Sequence, residues 1–235
     1  KLPLSIDRSL EKSISEGALV VGVDEAGRGA WAGPVVAAAV LVAPGARGLE
    51  EGVTDSKRLN PGQREWVFEQ LISNPDVHYG VAEVGERRID EVNILGATYE
   101  AMSQAFRNMP PASTWCPTCS GCQRCRVRVL VDGISVPPAW KERRLCTSVV
   151  KGDAKILAVA AASIIAKVTR DRLMLSLGKR YSAYNFGRHK GYGTKLHRMQ
   201  LESHGHCEAH RRSFNPLKTY LRTHEWRASS STSRD

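Results

Sequence analysis

Two short apolar runs in this chain each end on a carboxylate. Val20–Val21–Gly22–Val23 leads into Asp24 and Glu25, and Val127–Arg128–Val129–Leu130–Val131 leads into Asp132. β-Branched runs of this length suit strands buried in a sheet, with the chain emerging at the acids. Adjacent carboxylates repel and are costly to bury, so a fold that keeps them needs solvent or a cation at that sheet edge. The turn that follows the first run, Gly27–Arg28–Gly29, offers backbone N–H groups and a fork-shaped cation, both suited to phosphate and sugar.

The remaining pattern alternates strands and helices. Strands are expected at 18–24, 35–42, 78–84 and 126–133, and helices at 61–72, 89–107, 154–180 and near 194–204. In the second helix Ile89, Val92, Leu95 and Tyr99 form one stripe. In the third, Ile156, Val159, Ile164, Ile165, Val168 and Leu173 are core candidates, and alanines at 158 and 160–162 permit close packing on a sheet. Asp153 stands where a helix N-cap would. Residues 1–17 read as a short N-terminal lead to which no element is assigned, and the Ser/Thr-rich end, 228–235, as a disordered tail.

A net charge of +10 over 235 residues favours an anionic partner through long-range attraction and counterion release. The basic residues crowd 141–155 and 167–198, where the other motif-like residues lie. No run approaches the ~18 apolar residues that span a bilayer, so a membrane role is not expected.

Asp24, Glu25, Asp132 and Asp153 all fall at element ends. Each alone reads equally as a turn, loop or cap residue. Together they meet the requirement for two divalent ions ~3.5–4 Å apart, one activating a water and one stabilising a leaving oxygen. An all-oxygen donor set suits Mg²⁺ or Mn²⁺ rather than Zn²⁺.

The stretches VGVDEAGRGAWAGPVV, TDSKRLNPGQRE, IDEVNILGATYEAM, VLVDG, VVKGDAKILAVAAASIIAKVTRD, HKGYGTKLH and HRRSFNPL run in order from about residue 20 to 217. In these the chain resembles the type 2 ribonucleases H, the bacterial ribonuclease HII group most closely. The resemblance implies an α/β fold, a ribonuclease-H-like mixed five-stranded sheet flanked by helices, over 18–180. It also implies a C-terminal helical substrate-binding extension over 181–227. It places the four active-site acids on Asp24, Glu25, Asp132 and Asp153. The implied activity is hydrolysis of RNA in RNA–DNA hybrids and 5′ of single ribonucleotides embedded in duplex DNA, leaving a 3′-hydroxyl and a 5′-phosphate. Gly27, Arg28 and Gly29 match the turn that contacts the ribose 2′-hydroxyl and adjoining phosphate, and Tyr192 the tyrosine that stacks under the next sugar and favours deoxyribose there. Ser56 and Lys57 match a phosphate-holding motif beside Asp55. Lys151, Lys167, Arg170, His189, Lys190 and Arg211 are further candidate phosphate contacts, and Asp171 reads as an ion-pair partner rather than a fifth ligand. A monomer is expected, in the cytoplasm of a bacterium or the mitochondrion or nucleus of a eukaryote.

Two features depart from the family. Cys116, Cys119, Cys122 and Cys125 stand at three-residue steps in an insertion, 112–126. Such spacing suggests a structural Zn²⁺ site, with Cys146 or Cys207 available to complete it; disulfides, free thiols and an iron–sulfur site are alternatives. Cysteine pairs of this kind point to a reducing compartment. Ile134 replaces a residue that is usually polar, which bears on local substrate contacts. The rival reading is a non-catalytic nucleic-acid-binding or assembly protein that keeps the fold and docks a partner through the cysteine loop. Four retained acids argue against it, because a binder gains nothing from clustered like charges.

Overall fold

The computed structural model describes residues 2–15, 18–49, 51–115, 126–141 and 146–226. The expected cysteine site at 116–125 and the expected tail at 228–235 lie outside the described residues. Five strands form one mixed sheet: β1 (Leu19–Ala26), β2 (Val35–Val42), β3 (Val77–Val84), β4 (Val127–Asp132) and β5 (Cys146–Val149), in the order β3-β2-β1-β4-β5. β1 pairs antiparallel with β2 and parallel with β4, and β5 runs parallel to β4. The helices are α1 (Ser9–Ser15), α2 (Pro61–Ser73), α3 (Glu86–Arg107), α4 (Ala112–Trp115), α5 (Pro138–Lys141), α6 (Leu157–Arg180), α7 (Phe186–His189), α8 (Lys195–His204) and α9 (Leu217–Thr223).

Every residue of β2 is buried, because both faces of the sheet are covered. Ala38, Val40 and Val42 pack with Val67, Phe68 and Leu71 of α2 and Ile164, Ile165 and Val168 of α6. Ala37, Ala39 and Leu41 pack on the other face with Ile89, Ala97, Ala101 and Met102 of α3. The alanines let α6 approach the central strand, and Gly22 lets it approach further. A Cβ there would lie 2.2 Å from the Ala158 carbonyl carbon and the Val159 nitrogen. Beyond α6, Tyr184, Phe186, Leu201 and Ala209 gather with Ala32 and Met174 into a separate buried cluster. No described helix is long and apolar enough to cross a membrane.

Four expectations change. The lead contains α1, whose buried Glu11 accepts a hydrogen bond from Ala158 N (3.0 Å), capping α6 from across the molecule. Asp153 does not cap α6: it sits in a 3₁₀ turn over Gly152–Ala154, and the N-cap position belongs to Ile156. In α3 the expected stripe holds at Ile89, Val92 and Tyr99, which pack on the core, but Leu95 is exposed. Asn93 leaves the helical region (φ 61, ψ 168), and its side chain accepts from Leu95 N and Gly96 N. That break restarts the helix in a new phase, so Ala97, Ala101, Met102 and Ala105 face the core instead. In α6 Met174, rather than its half-buried neighbour Leu173, reaches the interior.

Candidate active site

The parallel pairing of β1 with β4 sets Val23 opposite Val131, so Asp24 and Asp132 follow side by side where that ladder ends, while β1 runs on to Ala26 against β2. The third acid arrives from the turn between β5 and α6. Asp132 Oδ1 accepts from Gly152 N (2.7 Å), which ties that turn to β4 and brings Asp153 alongside. One carboxylate oxygen from each of Asp24, Asp132 and Asp153 lies within 4.8 Å of the others. Among the described residues no other group of three His, Cys, Asp or Glu side chains is placed to hold an ion. Glu25 lines the same cavity, turned toward Arg28 Nη1 (3.3 Å).

The electrostatics carry the strain that the sequence implied. Asp24 is only 6 % exposed. Its burial, followed by the charges of Glu25 and Asp132, pushes its carboxyl well above the usual range. Burial, with Asp132 and Asp55 nearby, raises Asp153, and burial raises Glu25 against the pull of Arg28. A cluster of hard carboxylate oxygens whose ionisation is opposed by its own neighbours fits a divalent cation. Lys57 offers partial relief, its ammonium 3.6 Å from Asp153. Burial works against that ammonium, but Asp153 and Asp55 outweigh it and raise its pKa.

The acids open into a cavity of about 490 Å³, whose wall includes Gly27, Arg28, Gly29, Ser56, Lys57, Lys167 and Tyr192. The two glycines of the turn differ. Gly27 has φ +96, and a Cβ there would strike the Arg170 guanidinium, so the fold itself demands glycine. A Cβ on Gly29 would meet nothing within 4 Å, so that glycine keeps open a space the protein leaves empty. Tyr192 stands over the far wall, with Arg170 Cζ 5.3 Å and Lys167 Nζ 5.8 Å from its ring. Behind it Trp31, Thr194, Lys195, Arg198, Thr219 and Arg222 line a second, basic hollow of about 720 Å³.

Other candidates take structural positions. Arg170 is fully buried and donates to the carbonyls of Pro34, Ala32 and Lys190. Arg211, equally buried, donates to Gly33 O and Arg28 O. His189 Nε2 donates to Tyr184 O. These three are therefore not phosphate contacts in this arrangement. They hold the segment 28–34 and the Tyr192 turn in place. Lys190 Nζ donates to Gly187 O and does not line the cavity, while Lys151 is exposed outside it. Ser56 is buried, its hydroxyl 2.9 Å from Ser163 Oγ. Ser163, which lines the cavity with Asp24 and opposes the rise of its carboxyl, is a site residue that its Ala-rich helix context concealed. Arg64, also not singled out by sequence, lines the cavity and joins Lys167 on Asp171, which serves as the expected ion-pair partner. Ile134 is 86 % exposed just beyond Asp132. Cys146 and Cys207 are single thiols in different clusters, and the cysteine loop that either was expected to join lies outside the described residues.

Comparison with known proteins agrees with this geometry. The family model described as Ribonuclease HII matches residues 21–217. A ribonuclease HII of Chlamydia muridarum is 43 % identical over 216 residues, covering 92 % of this chain and 89 % of its own. Among solved structures, the ribonuclease H2 of Pyrococcus horikoshii superposes with a TM-score of 0.65 at 30 % identity, covering 86 % of this chain and 96 % of that one. An Archaeoglobus fulgidus RNase HII, solved in complex with PCNA, gives 0.61 at 28 %, covering 83 % and 95 %. The five-stranded mixed sheet, the acid cluster at its edge and a match spanning most of both chains lead to one conclusion: this chain belongs to the ribonuclease HII family of ribonuclease H enzymes.

Proposed function

We propose that the chain cleaves RNA in RNA–DNA hybrids and also cuts 5′ of single ribonucleotides embedded in duplex DNA. The observation that carries this reading is the shared cavity, in which the Asp24–Asp132–Asp153 cluster faces both the Gly27–Gly29 turn and Tyr192. A device that cuts beside one ribose must sense its 2′-hydroxyl, the group that separates RNA from DNA. The open space at Gly29 supports close approach of a sugar to backbone. Tyr192 offers a flat face for the next sugar. Arg28 and Lys57 are exposed enough to leave Glu25 and Asp153 for phosphates.

Asp24, Glu25, Asp132 and Asp153 would hold two Mg²⁺ or Mn²⁺ ions. Such ions, when bound, supply charge neutralisation and an activated water. Asp132 keeps the Asp153 turn in register, and Ser163 steadies Asp24. Hydrolysis in line breaks the P–O3′ bond, leaving a 3′-hydroxyl upstream and a 5′-phosphate on the ribonucleotide. The duplex would run across the basic hollow behind Tyr192, making 181–227 the substrate-binding extension.

Cleavage of a duplex carrying one ribonucleotide, assayed with Mg²⁺, Mn²⁺ or EDTA, tests this. Wild type should cut 5′ of the ribonucleotide only with metal. Asp24→Asn and Asp132→Asn should lose cutting yet still bind the hybrid. Activity retained in either variant overturns the metal assignment, and intact embedded-ribonucleotide duplex beside cleaved hybrid overturns the single-ribonucleotide reading. A non-catalytic binder would cut neither.

A further inference from the structure

Three buried histidines surround the backbone of Tyr192, and the mechanism above uses none of them. His197 and His210 are 0 % and 2 % exposed. Their Nε2 atoms face each other at 3.0 Å. The proton positions follow from the groups at the two ends. Cys207 N–H donates to His210 Nδ1 (3.0 Å), so a neutral His210 carries its proton on Nε2. That proton points at His197 Nε2, which must accept, and His197 therefore carries its own proton on Nδ1. Nδ1 lies 3.0 Å from Tyr192 O, the acceptor that ends the chain. The sequence runs one way, from Cys207 N–H through two imidazoles to Tyr192 O.

On the other side of the turn, Gly191 N donates to His189 Nδ1 (3.2 Å), and the His189 ring stacks on His197 with centroids 4.3 Å apart. The same turn is clamped from below by Trp31 N, which donates to Gly191 O (2.8 Å). A second proton on either member of the Nε2 pair would set N–H against N–H. Burial opposes that proton and holds His197 down to about 4 and His210 to about 3. The rings are thus neutral struts of fixed direction at neutral pH.

We propose that His210 and His197 are positioning residues, a directional hydrogen-bond relay that fixes the Tyr192 backbone and so sets how strongly the enzyme favours deoxyribose after the ribonucleotide. This rests on the reading of Tyr192 as the sugar-stacking residue. The relay crosses from the 205–210 loop to the cavity wall, so a residue with no substrate contact governs a substrate preference.

Two measurements test it. ¹⁵N NMR of histidine-labelled enzyme should show His210 protonated at Nε2, His197 protonated at Nδ1, and a coupling across the Nε2 pair; the opposite tautomers overturn the relay. The second is the ratio of kcat/KM for a single-ribonucleotide duplex to that for a uniform RNA–DNA hybrid. His210→Phe should lower this ratio about tenfold with hybrid cleavage changed by less than about threefold. His210→Gln, whose amide nitrogen takes the Nε2 place and still donates, should restore it. If the Phe variant does not fold, His197→Asn keeps a donor near the Nδ1 position and should hold the ratio, while His197→Leu should lose it. Tyr192→Ala lacks the stacking ring and marks the lower limit. A ratio unmoved by His210→Phe and His197→Leu, but collapsed by Tyr192→Ala, overturns the proposal. A ratio unmoved by Tyr192→Ala instead overturns the reading of Tyr192, and the proposal with it.

Discussion

Gly22→Ala adds one methyl group where the structure has no room for it. The new Cβ would stand 2.2 Å from two backbone atoms of α6, Ala158 C and Val159 N, whereas non-bonded carbons rest at about 3.5–4.0 Å. Neither obstacle is a side chain that can rotate away, so α6 must withdraw from β1 by on the order of 1 Å or the strand must bend. Overpacking of this kind costs roughly 1–3 kcal/mol when side chains can yield, and rigid backbone on both sides places Gly22 at or above the upper end. About 3 kcal/mol in a chain of this size corresponds to a fall in Tm of about 6–12 °C. The damage reaches the chemistry as well, because residues 152–156 lead directly into the displaced helix and carry Asp153. An error of about 1 Å in a catalytic constellation can cost about a hundredfold in rate. Thermal unfolding with EDTA, together with kcat at saturating divalent cation, reads both effects. Gly45→Ala, where a Cβ meets nothing within 4 Å, is the control. A Gly22→Ala protein that unfolds within about 1 °C of wild type and cleaves at the wild-type rate would refute the close seating of α6 on β1.

Glu11→Ala removes the carboxylate that caps α6 and should cost about 1.5–3 kcal/mol in urea unfolding, the range for hydrogen bonds to a charged group. Gly29→Ala should leave Tm unchanged while weakening kcat/KM on the single-ribonucleotide duplex, whereas Gly27→Ala should lower Tm as well, since its Cβ strikes Arg170. Stability should also fall as pH drops from 6.5 toward 4. The folded protein holds His197 at about 4, below the 6.5 of a free imidazole, so the unfolded chain binds more protons across that window. The shift corresponds to on the order of 3 kcal/mol for His197 alone. Stability is full above 6.5 and stops falling on this account below the folded value, and His197→Asn should flatten the slope in a pH series of urea melts.

The sheet was legible in the sequence because its central strands β1 and β2 are buried on both faces and announce themselves as apolar runs; β2 has the expected bounds, 35–42. β5 was not, because Cys146–Val149 is a four-residue strand of mixed polarity at the sheet edge. α1 was hidden for a different reason: what anchors it is the contact of Glu11 with Ala158, a partner 147 positions away. The acids could be read because each stands at an element's end. Arg170, Arg211 and His189 could not, since a charged or titratable residue buried on backbone carbonyls looks the same in sequence as one exposed to phosphate. Asn93 shows the limit of periodicity. A single residue outside the helical region reset the phase of α3 and moved the core from Leu95 to Ala97 and Met102.

The parallel pairing of β1 with β4 has a consequence for a chain emerging from the ribosome. β1 can join β2 as soon as residue 42 is out, but its other edge stays open until residues 127–131 arrive about a hundred positions later. Asp24 and Glu25 then wait for Asp132 and Asp153, and Tyr192 follows last. A chain stopped short of residue 127 presents an unpaired edge of the most apolar strand pair, a template for association with other nascent chains. A chain stopped between 153 and 192 holds all four acids without the Tyr192 wall of their cavity. N-terminal folding order thus makes completion of the Tyr192 turn the last condition for a closed cavity around the acids.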